Sequence, residues 1–297
     1  MSITTVDVTK GPAQTYRVAN RKSRILKVLH QVPAYALLTI LSVLAVAPFI
    51  FLVFSAFKPY QELIDPFPTL LPKHWSVATF SEIFTRRGFP LAMWNTVWVA
   101  AAVTAVQALT ASATGYVFAK YRFPLKELLF KIILATMMIP FVVIMIPLYV
   151  QVAELKLVDN LWALVVISLW STFGIFTMRS FCESIPTELI EAARIDGAGE
   201  FWIYSRVVMP LALAPLTTIS VFTFLGQWDN FLFPSVIINS MDKQTLPLFL
   251  NGLRSIYWTR YDLWITGSLL TVLPVLVAYA FSQRTFVRGA QTSGLKG

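Results

Sequence analysis

The sequence has little charge. Asp, Glu, Lys and Arg supply 13% of its 297 residues, while hydrophobic types supply 57%. A soluble domain usually carries about a quarter charged residues. This chain cannot cover a water-facing surface of that composition, and its mean hydropathy of +0.67 points to lipid as its main solvent. Cysteine occurs once, as Cys182, which excludes an intramolecular disulfide. The two histidines, His30 and His74, are far apart in sequence. Three chemical signatures are also missing. Without G-x-x-x-x-G-K-[ST] the chain has no phosphate cradle of its own, and without H-E-x-x-H or G-x-S-x-G it lacks the common metalloprotease and serine-hydrolase patterns. It is expected to be no enzyme and to bind neither a cofactor nor a metal itself, with Cys182 a packed small residue.

The charge that is present is basic, 24 Lys and Arg against 15 Asp and Glu, for a net +9. In a soluble protein that excess would suggest nucleic acid. Here the basic residues sit at the ends of apolar runs, which points to membrane orientation, a lipid environment and no nucleic-acid partner.

A bilayer core of about 30 Å takes about 20 apolar residues in helix. Six charge-free stretches reach or approach that length: 32–57, 91–119, 132–153, 160–178, 207–228 and 263–283. Backbone groups in lipid must bond internally, so each is expected to be helical. The fold class is an all-α membrane protein of six transmembrane helices, with a tail at 1–31 carrying a basic amphipathic segment, a membrane domain at 32–283 and a second tail at 284–297. The first stretch contains Ala45-Val46-Ala47, which mimics a signal-peptidase site, but it runs on to Phe57 and reads as a retained helix. Residues 231–241 are apolar but too short to span, and are expected to be re-entrant or interfacial. Trp94, Trp162, Trp228 and Trp264 mark the span ends, where headgroups lie. Pro140 and Pro147 are spaced to share a face of the third span, either for packing or as a kink beside a pathway.

Lysine and arginine counts set the orientation. With the N-terminus inside, the inner segments hold sixteen of the basic residues and the outer ones eight. That bias puts both termini and residues 184–210 in the cytoplasm, and His30 and His74 on opposite sides.

Residues 184–210 are the polar exception in an apolar chain. Ser184 reads as an N-cap with Pro186 in the first turn. Ile185, Leu189, Ala192 and Ala193 then share one helical face. Thr187, Glu188, Glu191 and Arg194 share the other, and Glu191 is placed to pair with Arg194. Gly197 stands where a helix end favours positive φ. Residues 200–208 form a second short helix, with Phe201, Tyr204 and Val208 on one side, before Pro210 and the fifth span. This helix–glycine–helix elbow is either an interfacial loop or a docking surface. Its acidic face, which anionic lipid would repel, and the small pair Ala192-Ala193 favour a protein partner.

At this point the chain resembles the permease subunits of bacterial and archaeal ABC importers. The shared signature is E-A-A-x-x-D-G-A followed by a hydrophobic-x-Pro, here Glu191, Ala192, Ala193, Asp196, Gly197, Ala198 and Pro210. "WNTVWVA", "YVFAKYRFPLK", "MMIPFVVIMIPLY", "FTMRSFCESIP" and the ending "FVRGAQTSGLKG" place it on the carbohydrate-importer branch, on the side of the second maltose-type permease subunit. The resemblance implies a coupling helix between helices 4 and 5 that docks on a separate ATPase subunit, with alternating access driven by closure of two such subunits. Glu191 would make the polar docking contact, Ala192 and Ala193 would allow a close fit, and Gly197 would make the turn. The implied partners are a second homologous permease, two ATP-binding subunits that hold ATP and Mg, an extracytoplasmic solute-binding protein and a carbohydrate. The family commonly has Trp-Asn-Asp after the fifth helix, whereas this chain has Trp228-Asp229-Asn230, which leaves the role of the two polar side chains open.

The spans carry no charged residue, so no proton relay or ion-pair site is visible in them. Their hydroxyls and amides suit a polyhydroxylated solute as well as helix packing. Gln107 and Gln227, the amides hardest to bury unpartnered, and Asn95 are the candidates for a translocation pathway. The alternative class is an ATP-independent secondary transporter or channel, which would usually show span charges or an inverted repeat.

Overall fold

The computed structural model of the chain describes the backbone of residues 21–86, 88–254 and 260–294, and side chains over 32–85, 88–254, 260–277 and 279–280. Among the described residues every regular element is a helix. The basic segment expected at 21–30, His30 and the closing "FVRGAQTSGLKG" lie outside the described side chains.

The chain divides into two units, 1–52 and 53–297. The described part of the first is the apolar stretch of α1 (Arg21–Ala56), a helix that continues into the second unit. Every side chain from Val32 to Phe51 is exposed. Thr39 and Ser42 donate their hydroxyls back to the carbonyls of Tyr35 and Leu38 at 2.8 and 2.7 Å, so they present little polarity outward. Such a surface suits lipid or another membrane helix.

The second unit opens with α2 (Tyr60–Leu63) and α3 (Ala78–Arg86). Between them the buried Glu62 carboxylate accepts the backbone N–H groups of Lys73 and His74 at 2.8 and 3.3 Å. The central element is α4 (Phe89–Lys120), whose only proline, Pro90, lies in the first turn, where a missing N–H costs nothing. Next come α5 (Lys126–Ala135), α6 (Phe141–Glu154), α7 (Trp162–Val166) and α8 (Thr172–Ser184). After α9 (Thr187–Ile195) and α10 (Glu200–Trp202), a π-helical turn at Ile203–Val208 leads into α11 (Met209–Leu211) and α12 (Leu213–Trp228). The chain closes with α13 (Leu232–Ile237), α14 (Leu246–Gly252) and α15 (Tyr261–Gly294).

α4 packs along α8 and α12. Small residues let the first pair approach closely. A Cβ on Gly115 would lie 2.5 Å from the Met178 Cβ, and one on Gly174 would lie 2.8 Å from the Ala111 Cβ. Glycine and alanine at facing positions bring backbones together where no hydrophobic drive separates helix from lipid.

All six expected stretches contain helix, but three of them are interrupted. Among the described residues Val32–Ala56 and Phe89–Lys120 are each long and apolar enough to cross a membrane alone. Two bent pairs meet that standard together: Lys126–Met138 with Phe141–Glu154 at 103°, and Glu200–Leu211 with Leu213–Trp228 at 79°. The break in 132–153 falls at Pro140, preceded by an extended Ile139, the conformation proline imposes on the residue before it. Pro140 and Pro147 therefore do not share one helix. The break in 160–178 covers residues 167–171, whose freed carbonyls bond to α4: Gln107 Nε2 donates to Ser168 at 2.9 Å and Thr110 Oγ1 to Leu169 at 2.8 Å. The Ser171 hydroxyl then accepts the Gly174 N–H and restarts the helix. In 207–228 the bend falls at Ala212, after Pro210.

Trp94 and Trp162 are exposed and Trp264 is half-buried. Trp228 is fully buried and stacks on Phe224 with ring centroids 5.8 Å apart. It fills a core among Ile83, Phe89, Leu246 and Leu263 rather than anchoring at a headgroup.

Candidate functional site: the elbow and the cavity

The elbow at 184–210 forms, with three changes from the expected layout. The first is its start. Ile185 is extended, as a residue before proline should be, so Ser184 ends α8 and Pro186 enters α9 with no side-chain cap. The Ser184 hydroxyl donates instead to the Phe181 carbonyl.

The second is the phase of α9. Ile190 is 1% exposed, packed in a core with Cys182, Ile185, Ile203 and Tyr116, and Ala193 lies against it. Leu189 and Ala192 face outward. With Asp196, Gly197, Gly199 and Trp202 they border a groove of about 640 Å³. Ile195 and Phe201 beside it are 85% and 80% exposed. Phe201 and Val208 do not share a face, because Val208 is buried and the π turn between them shifts the helical register.

The third is the partner of Arg194. Its guanidinium pairs with Glu200 across the glycine turn, Nε to Oε1 at 2.7 Å, and not with Glu191. The turn brings Glu200 back over the end of α9. Tyr121, which caps α4, donates its hydroxyl to the same carboxylate. The Arg194 hydrogen bond and the Tyr121 hydroxyl hold the Glu200 carboxyl below its usual range, while burial and that carboxylate raise the Tyr121 phenol. Glu191 is exposed, and no hydrogen bond or ion pair engages it among the described residues.

Gly197 has φ of 81°, and its N–H donates to the Arg194 carbonyl while that of Ala198 reaches Ala193, both at 3.0 Å. That pair of bonds is a Schellman cap, which favours glycine at the left-handed position. A Cβ there would meet nothing within 4 Å, so the demand for glycine is conformational rather than steric. Asp196 and Pro210 are both exposed, Asp196 as the C-cap of α9 and Pro210 within α11.

A cavity of about 860 Å³ lies between the break at Pro140, the break at 167–171 and the end of α12. Gln107, Gln151, Ser168, Trp170, Gln227 and Asn230 supply much of its polar and aromatic border, and among the described residues no charged side chain lines it. Gln107 is committed to packing as well, since its Oε1 accepts from Thr223 of α12 at 3.0 Å. Gln227 borders the cavity beside Asn230, whose amide donates to its Oε1 at 3.4 Å. Asn95 does not line it: it is 5% exposed and donates to the carbonyls of Asp242 and Gln244 at 2.9 and 3.0 Å, pinning a turn. Sequence reasoning missed Gln151 of α6 and Trp170 of the 167–171 break, which share no spacing signal.

A second polar cluster, also missed, joins the loops at 155–160 and 237–245. Asp159, at φ of 59°, donates its N–H to the Ile237 carbonyl at 2.9 Å. Its carboxylate accepts the N–H groups of Asn239 and Ser240 at 2.9 Å, the Ser240 hydroxyl at 2.5 Å and Lys243 Nζ at 2.9 Å. The Ser240 hydroxyl and N–H, with Lys243, hold this carboxyl far below its usual range.

Comparison with known proteins gives the family and the fold. Residues 111–288 match the model of the family described as binding-protein-dependent transport system inner membrane component. The chain is 33% identical over 257 residues to the arabinooligosaccharides transport system permease protein AraQ of Halalkalibacterium halodurans, covering 86% of this chain and 92% of that one. It is 31% identical to the lactose transport system permease protein LacG of Rhizobium radiobacter, over 88% and 95% of the two chains. Its fold resembles a chain of a bacterial ABC transporter involved in the import of the acidic polysaccharide alginate. That match has a TM-score of 0.77 and 22% identity, and covers 89% of this chain and 97% of the other.

Proposed function

The chain belongs to the binding-protein-dependent transport system inner membrane components, and from that premise we propose how it works as a permease subunit of an ABC importer. Its solute is a carbohydrate. It moves through a path between this chain and a second, homologous permease, and ATP and Mg are bound by two separate ATPase subunits. The elbow at 184–210 faces the cytoplasm, as do both termini, and docks on one of those subunits. An extracytoplasmic binding protein delivers the solute.

One observation carries the coupling reading. The elbow presents Leu189, Ile195, Phe201 and Trp202 around a groove, while no hydrogen bond or ion pair engages Glu191 among the described residues. An apolar patch beside a polar residue with no bond to make is a surface waiting for another protein. Ala192 and Ala193 border the groove and let that protein approach closely, and Gly197 holds the turn that shapes it. Asp196 lies on the rim and Pro210 leads from the elbow into the bent helix behind it.

The solute reading rests on the cavity wall. Amides at Gln151, Gln227 and Asn230 offer donors and acceptors to sugar hydroxyls, and the exposed Trp170 offers a ring face to sugar C–H groups. The relatives AraQ and LacG are named for arabinooligosaccharide and lactose transport, which fits an uncharged wall.

The test is uptake into proteoliposomes holding this chain with its host's partner permease, ATPase and binding protein. Labelled oligosaccharide should accumulate only with ATP inside the compartment that holds the ATPase. Uptake that persists without ATP, driven by an ion gradient, would replace this reading with a secondary transporter.

A further inference from the structure

The docking surface alone does not explain how movement of the elbow reaches the cavity, and the contacts of Glu200 suggest a route. We propose that Glu200 is a positioning residue: by holding Arg194 and Tyr121 on one carboxylate it fastens the elbow to the end of α4, so that displacement of the elbow moves α4 and α12 together. This inference rests on the coupling reading above.

The geometry has two levels. At the first, Arg194 lies before the Gly197 turn, Glu200 after it, and Tyr121 at the end of α4. Arg194 Nε donates to Glu200 Oε1 at 2.7 Å and its terminal nitrogen to Oε2 at 3.2 Å, while the Tyr121 hydroxyl takes the same Oε2. Two arms of the elbow and a third element thus meet on one side chain. At the second level the Tyr121 ring stands edge-on to Tyr116 at 5.6 Å, and Tyr116 packs on Tyr204 at 5.7 Å. Tyr204, on the π turn, shares a 2.7 Å hydrogen bond with Ser112 of α4. Residues 112 and 121 are about 13 Å apart along a helix, so the elbow is held to α4 at two well-separated points.

The two helices leaving this region meet again at the cavity. α4 carries Gln107 and α12 carries Thr223, and the two side chains are hydrogen-bonded at 3.0 Å. α12 follows the elbow through the covalent chain, across the 79° bend. α4 follows it through side-chain contacts: Glu200, the tyrosine layer, the Lys120 ammonium on the Ile185 carbonyl at 2.5 Å, and the core shared by Phe118 and Ile190. Of these, Glu200 alone joins both sides of the Gly197 turn to α4, so its removal loosens the far arm of the elbow from α4 while the near arm stays packed. Stability does not account for the arrangement. Arg194 and Glu200 have 42% and 49% of their side-chain surface exposed, and ion pairs that exposed add little to a fold.

The test uses the complete transporter in proteoliposomes and reads solute accumulated per ATP hydrolysed. For Glu200→Ala, assembly with the ATPase and the rate of hydrolysis should stay within about twofold of the unmodified complex, while solute per ATP falls by about tenfold. Tyr121→Phe keeps the ring stack and removes only the hydroxyl, so it should fall less, by about threefold. Glu200→Gln, which keeps an acceptor for Arg194, should recover part of the ratio. Unchanged solute per ATP in Glu200→Ala would overturn the proposal, as would loss of the ATPase from that complex, which would make Glu200 a docking residue. Failure of the coupling reading itself would show earlier, as ATP-independent uptake by the unmodified complex.

Discussion

The elbow and the Asp159 cluster are both loops closed by a carboxylate, yet they are built in opposite ways. Asp159 accepts four hydrogen bonds, two of them from backbone N–H groups, and its own N–H is bonded as well. Each of these bonds is made to a neighbouring loop of the same chain. The elbow is anchored by Ile190 and the Glu200 carboxylate, while its largest apolar side chains face outward around a groove. One loop spends its bonding capacity holding itself together, and the other keeps surface in reserve. Segments that move or dock come from the less internally bonded end of a structure. On the coupling reading proposed above, the difference separates a fixed end of the bundle from a working end.

Breaking the working end should affect transport most. Gly197→Val forces a β-branched residue into the left-handed region, which costs about 1–2 kcal/mol. Set against the local elbow, that should lower transport by about tenfold while membrane insertion, followed by fractionation, is unchanged. Next comes Ile190→Ala, which removes the anchor under α9. Truncation of a buried isoleucine costs about 2–5 kcal/mol, less where the site can collapse, and the exposed elbow can. Transport should fall severalfold, and limited proteolysis should cut first within 187–212.

The fixed end should answer differently. Asp159→Ala leaves two backbone N–H groups and Lys243 without their acceptor. The thermal midpoint of the purified complex should fall more than for any elbow variant, with transport at low temperature nearly normal. Equal transport losses at the two ends would erase the distinction. The smallest effect is expected from pH. Both carboxyls are lowered from ordinary values of 4.5 for Glu200 and 3.8 for Asp159. A lowered carboxylate stabilises above its unfolded pKa and loses that contribution as pH falls through the folded one. Melting should therefore be insensitive to either group at neutral pH and should fall only below those ordinary values.

The sequence made the membrane class legible because apolar length is a composition signal that survives without tertiary detail. Gly197 was legible for a similar reason, since a left-handed turn after a short helix is a local demand. The breaks were harder. Pro140 could mark one, but residues 167–171 contain neither glycine nor proline, and their carbonyls are satisfied by Gln107 and Thr110 from α4, far away in sequence. Asn95 illustrates the same limit from the other side: an amide in a span looks like a pathway group until the turn it holds is known. Arg194 was assigned to Glu191 because helical spacing is visible in sequence, whereas the fold-back that delivers Glu200 is not. The phase of α9 failed by one residue, since Leu189 and Ile190 are equally apolar and only the core decides which is buried.

Cross-linking from the two ends tests the central claim most directly. Ile195→Cys and Asn239→Cys each place a thiol at an exposed position, one on the elbow and one beside Asp159, while the native Cys182 is buried. Treated with a short bismaleimide in native membranes, Ile195→Cys should join this chain to its ATP-binding subunit, and Asn239→Cys should not. A link to that subunit from position 239, or none from position 195, would contradict the account.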